Sequence, residues 1–175
     1  MLLDTNTRAL ELVRSLRERE RFNKIDYYDP YPYQRKFHKT GSEANQRLLM
    51  AANRIGKSFS GASEMSYHLT GLYPDWWEGR KFTQPITAWA GGVSNETTRD
   101  IVQYELLGSP DDPAAFGSGT VPRNKIIKTE RKPGVPNAKS VALIQHVTGG
   151  NSSLFFKAYE MGVDKWQGRS VDVVW

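Results

Sequence analysis

The sequence predicts an α/β fold in which a mostly parallel sheet is flanked by helices. An apolar run at residues 48–52 leads into a short loop and then into a helical pattern over residues 59–69, which is typical of a buried strand followed by a helix. A second apolar run covers residues 86–91, and Ser94 can cap a helix that continues to about Leu107. Strands that alternate with helices in this way are what a parallel sheet requires.

The loop between the first strand and helix carries a phosphate-binding pattern. The pattern G-x-x-x-x-G-K-[ST] is matched at Gly56, Lys57 and Ser58, with Ala51 where the first glycine would stand. Successive amide groups and the start of the helix can hold anionic oxygens, Lys57 can reach the β- and γ-phosphates, and the Ser58 hydroxyl can ligate Mg²⁺. ATP and Mg²⁺ are therefore the predicted cofactors. The predicted phosphate contacts are Ala51, Ala52, Asn53, Arg54, Ile55, Gly56, Lys57 and Ser58.

Arg54 lies inside this loop and has two interpretations. Its guanidinium can stabilise charge that develops on the γ-phosphate, which makes it, with Lys57, a candidate catalytic residue. It can equally form a structural ion pair. The phosphate pattern predicts a P-loop NTPase domain.

An aromatic segment with two prolines precedes the loop and ends in Tyr33-Gln34. An aromatic face can stack on adenine, and the Gln34 amide offers both a donor and an acceptor to the base edge. Tyr33 and Gln34 are therefore predicted to bind adenine. The alternative is that the tyrosines pack the domain edge and that Gln34 caps a backbone group.

The composition is compatible with a nucleotide-binding domain but does not by itself indicate one. The 175 residues allow one domain, and the net charge of +5 with a pI near 9.4 fits a nucleic-acid partner. The absence of cysteine excludes disulfides and thiolate metal sites. No apolar run reaches the roughly 18 residues that a membrane span needs. The three histidines are far apart in sequence and have no metal-ligand spacing, so each is predicted to be structural.

The N-terminal part, residues 1–26, is predicted to be a helical extension of the domain at residues 27–175. A helix from Asp4 or Thr5 to about Arg21 carries leucine and valine on one face and charges of both signs on the other. It is either a solvated helix or a surface that docks on another subunit.

The remaining segments complete the expected domain. The Trp76-Trp77 pair is predicted to pack over a helix end, and residues 141–147 and 153–159 are predicted to form a hairpin before a last strand at residues 171–175. Residues 108–137 read as an insertion with little regular structure. The basic residues of its segment 123–132 can contact DNA or lie in a solvated loop, and they are Arg123, Lys125, Lys128, Arg131 and Lys132.

From Tyr31 to Trp175 the chain resembles the N-terminal ATPase part of the large terminase subunit, the motor that packs DNA into tailed bacteriophage heads. The resemblance rests on Tyr33-Gln34, on residues 51–58, on residues 88–94 and on residues 167–170. It implies a parallel-sheet ATPase domain of the RecA/ASCE type, an adenine-reading Gln34 and a γ-phosphate-sensing Arg54. It also implies double-stranded DNA, a portal protein and a small terminase subunit as partners, a homo-oligomeric ring, and a place in the host cytoplasm and transiently on the procapsid.

The family's acidic Walker B pair would follow Trp175 and its nuclease domain would come later, so the sequence is expected to be a truncated form with nucleotide binding but negligible turnover. Asp172 lies too early in the last strand to be the Mg²⁺ carboxylate. Two alternatives stay open: a superfamily-two helicase-like DNA translocase, and a non-catalytic module that binds DNA or another subunit.

Overall fold

The computed structural model describes the backbone of residues 2–175 and the side chains from Asn6 onward. Five α-helical segments and five strands make up the α/β fold. The helices are α1 (Leu2–Phe22), α2 (Pro32–Lys39), α3 (Lys57–Thr70), α4 (Asn95–Thr97) and α5 (Tyr104–Leu107). The strands are β1 (Thr87–Gly92), β2 (Ile126–Arg131), β3 (Lys139–Gln145), β4 (Asn151–Ala158) and β5 (Val173–Val174).

The five strands form one sheet in the order β2-β3-β4-β1-β5. β1 pairs in parallel with β4 and β5, whereas β3 pairs antiparallel with β2 and β4. The sheet is therefore mixed, and the prediction of a mostly parallel sheet is wrong in this respect. The reason is the short turn through Gly149 and Gly150, because a connection of this length between β3 and β4 permits only an antiparallel pair. The predicted hairpin is confirmed.

The main core lies between one face of this sheet and helix α3, with the segment from α4 to α5 beside it. Ala88 and Ala90 of β1 and Leu154 and Phe156 of β4 point to this face, where they pack with Met65 and other apolar side chains of the helices. Alternate residues of the same strands, such as Trp89 and Phe155, point to the opposite face. The core thus fixes α3 across the parallel part of the sheet.

The predicted strand at residues 48–52 is wrong. Leu48 and Met50 are each 80% exposed, and residues 46–52 adopt no regular structure. None of the five described strands pairs with this segment, and a segment without hydrogen bonds to a neighbouring strand is not stabilised as a strand. The apolar run therefore reaches the loop as an extended, solvent-facing segment.

The helix predicted after Ser94 is confirmed, with one irregularity. The Ser94 hydroxyl accepts a hydrogen bond from the Thr97 amide at 3.1 Å, as its capping role predicts. Between α4 and α5 the chain forms a π-helical segment, Thr98–Gln103. Gln103 at its end is buried, and its side chain bonds the backbone of Asn137 and Lys139. The irregular turn thus ties this helix to the start of β3.

The insertion at residues 108–137 is more regular than predicted. It contains β2, which pairs with β3 and forms the outer edge of the sheet. Lys128 and Arg131 of the basic segment stand on this edge and are exposed. Charged side chains on an edge strand discourage pairing with another chain, so this placement gives them a structural role in addition to any contact with DNA.

Helix α1 forms as predicted, but it begins at Leu2, before the predicted caps Asp4 and Thr5, and the apolar side chains of its middle turns lie in solvent. Leu10 is 71% exposed and Leu16 is 51% exposed. The helix meets the domain at its C-terminal end, where Arg21 donates to the Ala114 carbonyl oxygen and the Arg123 guanidinium lies over the Phe22 ring. None of the helices that the structure describes is long and apolar enough to cross a membrane.

Candidate functional site

The loop that carries the phosphate-binding pattern leads directly into helix α3. Gly56 has φ +80° and precedes Lys57, the first residue of the helix. This left-handed conformation favours glycine because a Cβ atom crowds the following carbonyl. Arg54 also has a positive φ of 63°, which is uncommon for a residue with a side chain. The loop is therefore held in a tight, unusual backbone path.

The position of α3 places this loop at the carboxyl end of the parallel strands. Gly61, near the start of α3, lies against the Trp175 ring just after β5, whereas Gly71 at its end lies against His146 beyond β3. The helix thus runs antiparallel to β1, β4 and β5. In open α/β sheets, ligands bind at the carboxyl ends of such strands, so the geometry favours a binding site here.

The backbone amides of the loop have no protein partner. In residues 2–175, none of the N–H groups from residue 53 to residue 58 donates to a protein acceptor, and the first helical bond is from the Ser60 amide to the Gly56 carbonyl oxygen at 2.9 Å. These N–H groups lie at the start of α3, where the dipole of the 14-residue helix also contributes positive charge. The arrangement is suited to an anion with several oxygen atoms.

The Lys57 side chain folds back over the loop. Its ammonium group donates hydrogen bonds of 2.6 Å to the carbonyl oxygens of Ala51 and of Ala52. A phosphate oxygen that approached the loop would compete with these carbonyl groups for the ammonium protons. The lysine is therefore at the loop, as predicted, but bonded to the protein.

Tyr33 and Gln34 of α2 are brought to the loop, although residues 35–50 separate them from it in sequence. The Tyr33 hydroxyl donates to the Ile55 carbonyl oxygen at 2.5 Å. The Gln34 amide nitrogen donates to the Gly56 carbonyl oxygen at 3.3 Å, and its oxygen accepts from the Tyr31 amide at 2.8 Å. Gln34 is 3% exposed.

These bonds match the alternative in which Gln34 caps backbone groups. An adenine base that used the Gln34 amide would have to replace the bond to Gly56 or the bond to Tyr31. Its role in reading adenine stays a prediction.

The remaining predicted site residues belong to the loop itself and differ in how exposed their side chains are. Asn53 and Arg54 are exposed, and Ser58 is half-buried at the first turn of α3. Among the side chains that the structure describes, no carboxylate lies within ion-pair distance of Arg54, so the structural ion pair considered for it is not formed. Its guanidinium is available to an anion at the loop.

Asp172 lies away from this loop. Its carboxylate accepts a hydrogen bond of 2.8 Å from the Thr87 amide, at the amino end of β1. This agrees with the prediction that Asp172 is too early in its strand to act on a bound nucleotide.

A buried polar network behind the loop was missed by sequence reasoning. Glu64 of α3 accepts a 2.6 Å hydrogen bond from His38 Nδ1 of α2, forms an ion pair with Arg47 and lies 3.4 Å from His68 Nε2. His38 Nε2 lies 3.0 Å from the Tyr28 hydroxyl. Two of the three histidines therefore converge on one carboxylate. Among the described residues, no group of three or more histidine, cysteine or acidic side chains is arranged so that it could hold a metal ion.

The ionisation of Glu64 follows from these contacts. Burial by itself raises the pKa of its carboxyl, but hydrogen bonds from His38, His68 and Arg47 outweigh that effect and hold the pKa well below its ordinary value. Glu64 is thus a buried carboxylate that stays charged. Burial also raises the pKa of Tyr28 to about 12, so this tyrosine keeps its proton and can act as a donor.

One sequence signal could have indicated this network. Ser60, Glu64 and His68 follow one another at intervals of four residues, so they lie on one face of α3. A charged residue between two other polar side chains on a buried face requires polar partners. The partners come from α2 and from Arg47, which a pattern in one helix does not reveal. Trp77 packs over His38, and the predicted packing role of the tryptophan pair is confirmed.

Fold and loop together define an α/β protein with a phosphate-loop sequence at the start of a core helix. A family model described as "Terminase large subunit, T4likevirus-type, N-terminal" matches residues 48–175. The "Terminase, large subunit" of Salmonella phage P22 is 34% identical over 186 aligned residues, which include 95% of this chain and 37% of that protein. No solved structure matches the chain. The chain belongs to the terminase large subunit family, and it spans a little over a third of the length of the P22 relative.

Proposed function

We propose that this chain is the nucleotide-binding part of a motor that packages viral DNA. Residues 51–58 bind the phosphates of ATP, within a domain of the P-loop NTPase type, and hydrolysis in the whole protein drives double-stranded DNA into a procapsid. Membership of the terminase large subunit family supports the packaging role. The further partners are those of such a motor: a portal protein, a small terminase subunit and copies of the chain in a ring. The place of action is the host cytoplasm and, transiently, the procapsid.

The observation that carries the nucleotide proposal is the loop itself. Its amide groups have no protein partner, and they surround the start of α3 beside the Lys57 ammonium group. Both features attract the oxygens of a polyphosphate. When ATP binds, Lys57 exchanges its bonds to Ala51 and Ala52 for bonds to phosphate oxygens, and Arg54 faces the charge that develops on the terminal phosphate.

The loop offers one oxygen ligand that suits Mg²⁺, the Ser58 hydroxyl. The Ser58 hydroxyl is a neutral oxygen at the first turn of α3, and Mg²⁺ prefers oxygen ligands and completes its shell with phosphates and water. When bound, the ion neutralises charge on the phosphates. The protein residues for this role are Ser58 for the ion and Lys57 for the phosphates.

The proposed base contacts are Tyr33 and Gln34, which lie beside the loop. Both side chains donate hydrogen bonds to carbonyl oxygens of the loop, so helix α2 holds the loop and also carries the proposed base contacts. We infer that Tyr33 stacks on adenine and that Gln34 exchanges one backbone bond for the base edge.

The test is calorimetric titration of the chain with ATP in the presence of Mg²⁺, together with thermal unfolding. We expect ATP to raise the melting temperature, because a ligand that binds only the folded state stabilises it by about 2.7 kcal/mol at a hundredfold excess over Kd. Lys57→Ala should lower the affinity at least about tenfold, the effect of losing roughly 1.4 kcal/mol of charge-assisted bonding. Lys81→Ala, an exposed lysine away from the loop, is the matched control.

Two results would contradict the proposal. If ATP at millimolar concentration neither releases heat nor moves the melting temperature, the chain is a binding module without a nucleotide. If Lys57→Ala binds ATP as the parent does, the nucleotide is not held by this loop. Family membership already favours a terminase over the helicase-like translocase that the sequence left open.

A further inference from the structure

An exposed aromatic stack lies near the carboxyl end of β4, on the face of the sheet opposite α3. The rings of Tyr159 and Trp166 are stacked with centroids 5.0 Å apart and an interplanar angle of 14°. Trp166 in turn meets Trp89 of β1 edge-on at 5.6 Å, and its ring nitrogen donates to the Ala158 carbonyl oxygen at 3.4 Å. Tyr159 is 65% exposed, so the stack ends in an aromatic ring that is open to solvent.

Lys157 lies at this stack, and the charges of Lys132, Lys165 and Arg169 are near enough to act on it. The Lys157 ammonium lies 3.8 Å from the centroid of the Trp89 ring and 5.6 Å from that of Trp166, and it donates to the Lys165 carbonyl oxygen. Lys132 reaches the region from the end of β2, where its ammonium contacts the Met161 sulfur at 3.3 Å. Arg169 lies over the Phe155 ring at 4.6 Å. Burial lowers the pKa of Lys157, and the positive charges of Arg169, Lys132 and Lys165 lower it further.

Carboxylates do not neutralise this group. Within the part of the chain that the structure describes, none of the four cations forms a salt bridge. Glu160 and Glu96 are near enough to act on Lys132, but neither forms a salt bridge with it, and the Glu160 carboxylate accepts hydrogen bonds from the backbone and side chain of Asn95. Asp164 is the other acidic residue of the segment and is exposed. Like charges without ion-pair partners favour a bound anion.

A structural role explains only part of the arrangement. Lys157 and Trp166 cover Trp89, which is 6% exposed and so already shielded. The open face of Tyr159 and the exposed Lys165 shield no buried side chain. In sequence, a lysine and an aromatic residue occur together twice, at residues 157–159 and at residues 165–166. Cations beside a stacking surface are the usual means of holding a single strand, since the strand offers phosphates and unpaired bases together.

We propose that the cation-aromatic cluster, formed by Lys132, Lys157, Tyr159, Lys165 and Trp166, binds single-stranded nucleic acid. Tyr159 stacks on an unpaired base, and the lysines contact the phosphates on either side. This goes beyond the packaging of duplex DNA proposed above. It is independent of the nucleotide loop, because the cluster lies on the other face of the sheet. A strand end or a locally opened duplex would supply the unpaired base.

The test is fluorescence anisotropy of the full chain with a labelled oligothymidylate, without nucleotide, over a range of salt concentrations. We expect Tyr159→Ala to weaken binding about 5- to 100-fold, the usual effect of removing one stacking ring. Tyr159→Phe, which keeps the ring, should bind as the parent does. Lys165→Gln should reduce the slope of log affinity against log salt by about 0.7, because one phosphate contact is lost.

Two substitutions away from the cluster serve as matched controls. Tyr104→Ala removes a half-exposed tyrosine from α5, and Lys81→Gln removes an exposed lysine from the loop before β1. Neither should change strand affinity. Lys57→Ala should also bind the oligothymidylate normally, even if it no longer binds ATP, which separates this proposal from the nucleotide site.

Three results would overturn the proposal. One is a Tyr159→Ala variant, shown to be folded by circular dichroism, that binds the oligothymidylate as tightly as the parent. Another is a duplex of the same length that binds at least as tightly as the single strand and whose binding Tyr159→Ala weakens by the same factor. The third is displacement of the strand by ATP in the parent but not in Lys57→Ala, which would assign the interaction to the nucleotide loop.

Discussion

His38 Nδ1 and an oxygen of Glu64 lie 2.6 Å apart in the protein interior, and this bond joins helix α2 to helix α3. The two helices carry the two halves of the candidate site. α2 presents Tyr33 and Gln34, and α3 begins at Lys57. Because a buried, charge-assisted bond holds the helices together, it also fixes the distance between the proposed base and phosphate contacts.

The first prediction concerns the stability that Glu64 provides. Glu64→Gln removes the charge that Arg47 and the two histidines face, while its size is nearly unchanged. We expect a loss of about 3 kcal/mol in the free energy of unfolding, because breaking a buried ion pair leaves the partner uncompensated. Urea unfolding followed by tryptophan fluorescence measures it. Asp29→Asn, which breaks the exposed pair with Arg35, should cost less than about 1 kcal/mol. If Glu64→Gln and Asp29→Asn lose the same unfolding free energy, burial does not make the Glu64 ion pair more stabilising than an exposed one.

The second prediction is the pH dependence of the same difference. The pKa of Glu64 is lowered in the folded chain from an ordinary value of 4.5, so below that pH the unfolded chain binds more protons. The stabilisation by Glu64 is therefore complete above this value and decreases as the pH falls below it. The difference in unfolding free energy between the parent and Glu64→Gln should be smaller at about pH 3 to 4 than at about pH 5. A difference that stays constant down to about pH 3 would contradict the proposed ionisation.

How much of this site could be predicted from sequence depends on the range of the interactions. The loop sequence, the Ser94 cap and the β3–β4 hairpin are local features, and each was found because a few adjacent residues determine it. The network around Glu64 joins residues 28, 38, 47 and 64, so no window of the sequence contains it. The strand predicted at residues 48–52 failed for the same reason, since a strand needs hydrogen bonds to a neighbour that is distant in sequence.

The third prediction separates backbone strain from ligand contact at Gly56. Gly56→Ala places a Cβ at a φ of +80° and 3.1 Å from the Gln34 amide nitrogen. Gly134→Ala is the matched control, because its φ is +79° and no atom lies within 4 Å of the added Cβ. Both should lose about 1 kcal/mol of stability from the left-handed conformation. Only Gly56→Ala should also weaken ATP binding, as measured by titration calorimetry. If the two variants bind ATP with equal affinity, Gly56 is not part of the nucleotide-binding site.

The fourth prediction tests whether Gln34 reads the base. Gln34→Ala should reduce the preference for ATP over GTP, because an amide that pairs with adenine discriminates against guanine by donor and acceptor positions. The affinity for inorganic triphosphate should change less, since the loop amides remain. Gln46→Ala, an exposed glutamine, is the control. If Gln34→Ala lowers the affinity for ATP, GTP and triphosphate by the same factor, the side chain supports the loop through its bond to Gly56 and does not read the base.

The fifth prediction concerns the apolar segment that leads to the loop. Leu48 and Met50 are each 80% exposed, whereas Leu69 of α3 is fully buried. Leu48→Ser and Met50→Ser should therefore change the free energy of unfolding by no more than about 0.5 kcal/mol, as surface substitutions usually do. Leu69→Ala should cost about 2–5 kcal/mol, because it removes core contacts and leaves a cavity. Urea unfolding of the three variants measures both effects. A loss above about 2 kcal/mol in either serine variant would mean that residues 48–52 are buried in solution, as their sequence pattern predicts.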